Sequence, residues 1–143
     1  MNYAIVFRLL SYILFCEAAL LLLPAIASLC YSEWSVLGVF VLTAALCLVL
    51  GLLLRQIKPS SKVFYMREGF ATTALSWVVI SIMGAIPFVL TGCIPNPVDA
   101  MFETVSGFTT TGASILPAVE GLPKGVLFWR SFTHWIGGMG VLV

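Results

Sequence analysis

The residues best suited to chemistry lie at positions 99–114, in the run DAMFETVSGFTTTGAS. A short amphipathic segment leads there directly into three threonines and a glycine, and long apolar stretches lie on both sides of the run. Irregular backbone is tolerated at membrane depth only where it is buried in protein or lines a watery path. The run is therefore typical of a re-entrant loop that contacts whatever crosses a membrane.

Backbone carbonyl oxygens are the groups that such a loop would offer to a cation. In channel filters of the pattern Thr-Val-Gly-Tyr-Gly, rings of carbonyls replace the hydration shell of K⁺, and alignment of residues 110–114 with that pattern matches its first glycine to Gly112. Glycine reaches positive φ without a Cβ penalty, which lets successive carbonyls face one axis. We expect four carbonyls to be the main ligands, those of Thr110, Thr111, Gly112 and Ala113. The Thr110 hydroxyl would add a further oxygen.

The outer part of the loop departs from the channel pattern. Ala113 and Ser114 stand where channels have tyrosine and a second glycine, so the aromatic support is missing and we expect a looser outer end. The preference for K⁺ over Na⁺ therefore stays open. On the residues alone, an external threonine-rich turn after a capped helix is an alternative interpretation of the same run.

Two charges lie close to this loop in otherwise apolar segments. Glu103 falls in the amphipathic segment and Arg130 near the start of the next apolar stretch. An unpaired carboxylate near membrane depth is costly, so we expect Glu103 and Arg130 to form an ion pair that supports the loop from behind. Two other polar residues should make hydrogen bonds: Glu17 locally, and His134 at an interface or between helices.

Composition indicates an integral membrane protein. Hydrophobic residues make up 61% and charged residues 9% of the chain, and the mean hydropathy is +1.11, far from the values of a soluble domain. A net charge of +1 provides no basic field for nucleic acid. The sequence contains no Ser/His/Asp set, phosphate-binding glycine loop or metal-ligand cysteine spacing, so we expect neither an enzyme nor a resident cofactor. We interpret the four cysteines as small buried apolar residues.

The apolar stretches must position the loop. Three of them have membrane-spanning length and a fourth starts after the loop: residues 5–29, 34–54, 70–91 and 127 onward. Asn96, Pro97 and Asp99 form an N-terminal helix signature, which predicts a short helix over residues 97–108. A secretory signal peptide is an alternative for the first stretch, although its length and the later stretches favour a membrane span.

Basic residues predict the orientation of these spans. Four of them lie in the link between the second and third spans: Arg55, Lys58, Lys62 and Arg67. The positive-inside rule makes this link cytoplasmic. The N-terminus is then also cytoplasmic, and residues 92–124 lie on the outer side.

Two motifs resemble those of a known family. The run FETVSGFTTTGAS at residues 102–114 resembles the first filter of the Trk/Ktr/HKT superfamily of potassium transporters, and LFWRSFTHWIGGMG at residues 127–140 is similar to the start of the following helix. The resemblance, to the TrkH/TrkG type, implies an all-α membrane protein with a leading transmembrane hairpin and one helix–pore loop–helix unit of potassium-channel-like architecture. The corresponding domains are residues 1–66 and residues 67–143. Because such a pore needs four loops around one axis, we expect a truncated last helix and a longer parent protein.

The same resemblance implies a function. It predicts uptake of K⁺, as the transported ion, across the lipid bilayer of the bacterial inner membrane through a filter of backbone carbonyls. The complete protein would be a homodimer that binds a cytosolic nucleotide-binding regulatory subunit. Coupling to protons or sodium, and gating, stay open. The alternatives are a non-transporting membrane scaffold or export component with an external Thr-rich loop, and a channel of four copies of this short chain.

Overall fold

A computed structural model describes residues 3–57 and 66–142. These residues form five α-helices: α1 (Tyr3–Cys30), α2 (Trp34–Arg55), α3 (Met66–Leu90), α4 (Pro97–Phe108) and α5 (Lys124–Leu142). The described part of the chain contains no strand, and its helices confirm the predicted all-α class. Lys58 and Lys62 of the predicted cytoplasmic link lie outside the described residues.

Three of these helices are long and apolar enough to cross a membrane. Helices α1, α2 and α3 contain 28, 22 and 25 residues, and each exceeds the about 20 residues that a hydrocarbon core requires. Large apolar side chains are exposed on them, as at Leu42, Leu53 and Phe70, which suits a lipid environment. The predicted fourth stretch forms α5, which begins at Lys124, three residues before the predicted start. Its passage through the membrane stays a prediction.

The helices pack around Trp129 of α5, whose side chain is fully buried. Its ring lies edge-on to Phe40 of α2 and to Phe108 of α4, with centroid separations of 6.3 and 6.4 Å. Its indole N–H donates a hydrogen bond to the Gly84 carbonyl oxygen of α3 at 3.0 Å. One aromatic side chain therefore joins the hairpin of α1 and α2 to the three helices that follow it.

Helix α4 begins and ends where the sequence predicts. The Asn96 side-chain oxygen accepts a hydrogen bond from the Val98 N–H at 3.1 Å, and Pro97 is the first helical residue. The 12 residues of α4 correspond to about 18 Å of helix, against a hydrocarbon core of about 30 Å. Helix α4 is therefore too short to cross the bilayer, and the depth of the loop that follows it stays a prediction.

The cysteine prediction is wrong for two residues. Cys47 is buried, whereas Cys16 and Cys30 are exposed and Cys93 is intermediate. Lipid tails are as apolar as leucine, so no force drives every apolar side chain of a spanning helix into the protein. Apolar character therefore does not predict burial here.

Candidate functional site

The loop after α4 has an unusual backbone. The Thr110 N–H donates to the Gly107 carbonyl oxygen at 2.9 Å and the Thr111 N–H to the Ser106 carbonyl oxygen at 3.0 Å, which is the Schellman arrangement at a helix end. Glycine usually occupies the left-handed position of that arrangement, but here Thr110 does, with φ of +56°. The motif satisfies two of the last carbonyls of α4.

Gly112 has a second positive φ, of +77°. The sequence predicts this conformation at Gly112, and the structure confirms it. Thr111, between the two, has ordinary φ, and so does Ala113. The backbone therefore alternates between positive and ordinary φ over four residues, and only the glycine of the two positive positions was predicted.

The loop faces away from the packed helices. Residues 109–115 are all exposed, directly after buried Phe108. Threonine hydroxyl groups make hydrogen bonds at the start of the loop. Thr109 Oγ1 donates to the Val105 carbonyl oxygen at 2.7 Å and lies 2.8 Å from Thr111 Oγ1. The Thr110 hydroxyl donates to the Thr109 carbonyl oxygen at 2.7 Å, which leaves its own lone pairs available.

The Ala113 carbonyl is bonded to a side chain of α4. Its oxygen accepts a hydrogen bond from the Ser106 hydroxyl of α4 at 2.5 Å. This bond draws the outer half of the loop towards α4. A carbonyl oxygen has a second lone pair, so the ligand role of Ala113 stays a prediction, as do those of Thr110, Thr111 and Gly112.

Glu103 holds the far end of the loop. Its carboxylate accepts hydrogen bonds from the Ser114 hydroxyl at 3.1 Å and from the Ile115 N–H at 3.0 Å. Arg130 Nε lies 2.5 Å from Glu103 Oε1, and the two side chains are 19% and 1% exposed. The structure thus brings together Glu103 and Arg130, and it adds two loop donors that the sequence did not reveal.

Helix α5 touches α4 backbone to backbone beside the loop. A Cβ at Gly137 would collide with the Phe108 carbonyl oxygen, and a Cβ at Gly107 would collide with Thr133 Oγ1. Small residues allow helices to approach this closely. Phe108 is the last residue before the loop, so a shift of α5 along its axis would change the position of the loop.

Two predicted hydrogen-bonding residues behave differently from expectation. Within residues 3–57 and 66–142, neither carboxylate oxygen of Glu17 has a hydrogen-bond partner, although both are buried. The predicted local bond is therefore wrong: no donor of the described residues, whether in α1 or in a neighbouring helix, bonds to the carboxylate. His134 Nδ1 lies 2.9 Å from the Arg130 carbonyl oxygen, so its bond is made within α5. In the same described part, no three His, Cys, Asp or Glu residues cluster as metal ligands.

Glu33, in the turn between α1 and α2, also contacts α5, and its sequence context did not predict this. Its carboxylate accepts hydrogen bonds from the Lys124 N–H at 2.8 Å and the Gly125 N–H at 3.0 Å, at the first residues of α5. The available signals were an acidic residue in a very short turn and an α5 first turn that contains no acidic residue. Neither signal specifies the pairing.

Comparison with known proteins supplies a family match. Residues 30–143 match the family described as TrkH, cation transport protein. An uncharacterised cation transporter of Methanocaldococcus jannaschii is 41% identical over 123 residues, which are 85% of this chain and 25% of that protein. The Trk system potassium uptake protein TrkH of Halomonas elongata is 33% identical over 150 residues, covering 100% of this chain and 30% of the relative.

A third relative is a TrkG protein. The Trk system potassium uptake protein TrkG of Escherichia coli is 30% identical over 140 residues, 97% of this chain and 29% of that protein. The chain thus spans between 25% and 30% of the length of these three relatives.

Proposed function

The chain belongs to the TrkH family of cation transport proteins, and on this basis we propose that residues 109–114 form a selectivity filter through which K⁺ enters the cell. The observation that carries the proposal is the positive φ at Thr110 and Gly112, separated by ordinary φ at Thr111. In regular extended backbone, successive groups alternate between two sides. A backbone that alternates between positive and ordinary φ can turn successive carbonyls to one side.

The proposed ligands are mainly the carbonyls of Thr110, Thr111, Gly112 and Ala113, with K⁺ as transported ion. Exposure of residues 109–115 leaves this face free for the ion and for equivalent loops around the axis. Helix α4 ends at this loop, and the partial negative charge of a helix C-terminus favours a cation nearby.

Glu103 and Arg130 support the filter rather than bind the ion. The carboxylate of Glu103 is 1% exposed and faces Arg130, Ser114 and Ile115. An ion at this carboxylate would have to displace those donors. The pair instead fixes the outer end of the loop relative to α5.

The rest of the proposal concerns the whole protein. Relatives are named potassium uptake proteins, and a multi-pass membrane protein of this family would operate in the bacterial inner membrane with a cytoplasmic N-terminus. We infer a homodimer with a cytosolic nucleotide-binding regulatory subunit, and a division into a hairpin (residues 1–66) and a pore unit (residues 67–143). A non-transporting scaffold is not favoured, since the matched family consists of cation transport proteins.

Uptake measurements test the proposed function. The protein expressed from its complete gene should restore Rb⁺ uptake, and growth at low K⁺, in bacterial cells that lack their own potassium importers. The same cells with an empty vector provide the background. Protein that accumulates in the membrane and yields no Rb⁺ uptake above that background would contradict the proposal.

Labelling of single cysteines tests the orientation. In a background whose native cysteines are replaced, cysteine at exposed Pro117 should react with an impermeant thiol reagent added outside the cell, because residues 92–124 are expected to lie outside. Cysteine at exposed Gln56, which follows α2, should react only after the membrane is permeabilised. The opposite pattern would mean that the orientation is inverted.

A further inference from the structure

The turn of the hairpin meets the start of α5 through Glu33. This residue directly precedes α2, yet its side chain makes no capping bond to α2. Its two carboxylate oxygens instead accept hydrogen bonds from Lys124 and Gly125, 91 and 92 residues further along the chain. The carboxylate of the hairpin therefore caps a helix of the pore unit.

Helix α5 needs this carboxylate because its own sequence provides no cap. The first N–H groups of a helix have no partner inside the helix, and a negative charge there is favoured by the helix dipole. Pro123, which precedes α5, has no side-chain oxygen that could cap the helix, and the first turn of α5 has no acidic residue. Glu33 both accepts hydrogen bonds from free N–H groups and places a negative charge at the start of α5, through two charge-assisted bonds.

Neighbouring contacts hold the backbone of the hairpin turn, which carries Glu33, close to the start of α5. Ser32 has φ of +58°, and the Glu33 N–H donates to the Ser28 carbonyl oxygen at 2.9 Å. Gly125 lies so close to Ser28 that a Cβ on it would collide with the Ser28 hydroxyl, and that Cβ would also lie 3.1 Å from Val36 Cγ1. The start of α5 is thus seated in the hairpin turn, with little freedom to slide.

The position of α5 reaches the loop by two routes. Arg130, on the second turn of α5, is paired with Glu103, which also binds Ser114. Further along, Gly137 packs directly against the Phe108 carbonyl oxygen. A shift of α5 along its axis would therefore move both ends of the loop.

From these contacts we propose that Glu33 is a positioning residue for ion selectivity, and that the hairpin holds α5 at the height that the loop requires. The inference rests on the proposed filter function. It gives the hairpin a role in the pore, whereas the sequence predicts a pore unit formed by residues 67–143 alone.

Two variants with a matched control test the inference in the protein expressed from its complete gene. Glu33→Ala removes the cap, and the displacement of α5 should lower the ratio of Rb⁺ to Na⁺ uptake, by at most about tenfold, since tenfold corresponds to the ~1.4 kcal/mol of a whole helix cap. Glu33→Gln keeps one acceptor oxygen without charge, and it should lower the ratio by a smaller factor. Glu120→Ala removes an exposed carboxylate from the loop just before α5 and should leave the ratio unchanged.

A second measurement is independent of transport. Hydrogen exchange at the Lys124 and Gly125 amides of the purified protein should be faster in Glu33→Ala and Glu33→Gln than in Glu120→Ala. Unchanged exchange, or an unchanged uptake ratio at normal membrane abundance, would overturn the inference. If Glu33→Ala fails to accumulate, the milder Glu33→Gln decides both measurements. Absence of Rb⁺ uptake in the unmodified protein would instead count against the proposed function, and the exchange measurement would still test the cap.

Discussion

Replacing Glu103 by glutamine is expected to abolish most K⁺ uptake and to reduce the amount of folded protein. The carboxylate accepts from Arg130, Ser114 and Ile115, and an amide has only one acceptor oxygen to offer them. Removal of one partner from a buried ion pair costs about 3 to 5 kcal/mol. We expect the lower end of that range, because the Arg130 side chain is 19% exposed and water compensates part of its charge.

A double-mutant cycle measures the coupling of this pair. Arg130→Gln should impair uptake as well, since it leaves the buried Glu103 carboxylate without its counter-charge. The double variant should lose less than the sum of the single losses, with a coupling of about 1 to 3 kcal/mol. Exposed Glu120→Gln serves as a control for loss of an external negative charge. Strictly additive losses in the cycle would show that the two residues act separately.

Local signals predicted the parts of the structure that depend on neighbours in the chain. Asn96 and Pro97 indicated the start of α4, and the structure begins the helix there. The glycine in the threonine tract indicated positive φ at Gly112. The spans followed from hydropathy alone, because a bilayer imposes both length and composition. In each case the physical cause lies within a few residues of the effect.

Apart from the ion pair of Glu103 and Arg130, contacts between distant residues were not predicted. The cap from Glu33 to Gly125 joins residues 92 positions apart, and no periodicity marks such a pair. One local feature was also missed: Thr110 adopts positive φ in the Schellman arrangement at the end of α4, although its side chain disfavours that conformation. The expected local bond of Glu17 is also absent, since neither buried carboxylate oxygen has a hydrogen-bond partner among the described residues.

A serine at Gly112 should weaken K⁺ uptake and lower discrimination against Na⁺ while the protein still enters the membrane. A Cβ at Gly112 meets no atom within 4 Å, so steric overlap with neighbours is not the cause. The cause is the backbone, because φ of +77° disfavours any side chain by about 1 to 2 kcal/mol. Relief of that strain would rotate a proposed ligand carbonyl away from the ion.

Gly92 offers a matched control for this variant. It has φ of +75° and equally open space around its Cβ position, but it lies in the turn after α3, outside the loop. Gly92→Ser should therefore carry the same backbone strain and leave the ratio of Rb⁺ to Na⁺ uptake unchanged. A lower ratio in Gly112→Ser alone would tie selectivity to the carbonyls of the loop. Equal ratios in Gly112→Ser and the unmodified protein would mean that residues 109–114 do not discriminate between ions, because the strain is present in both glycine variants and only one of them lies where an ion would bind.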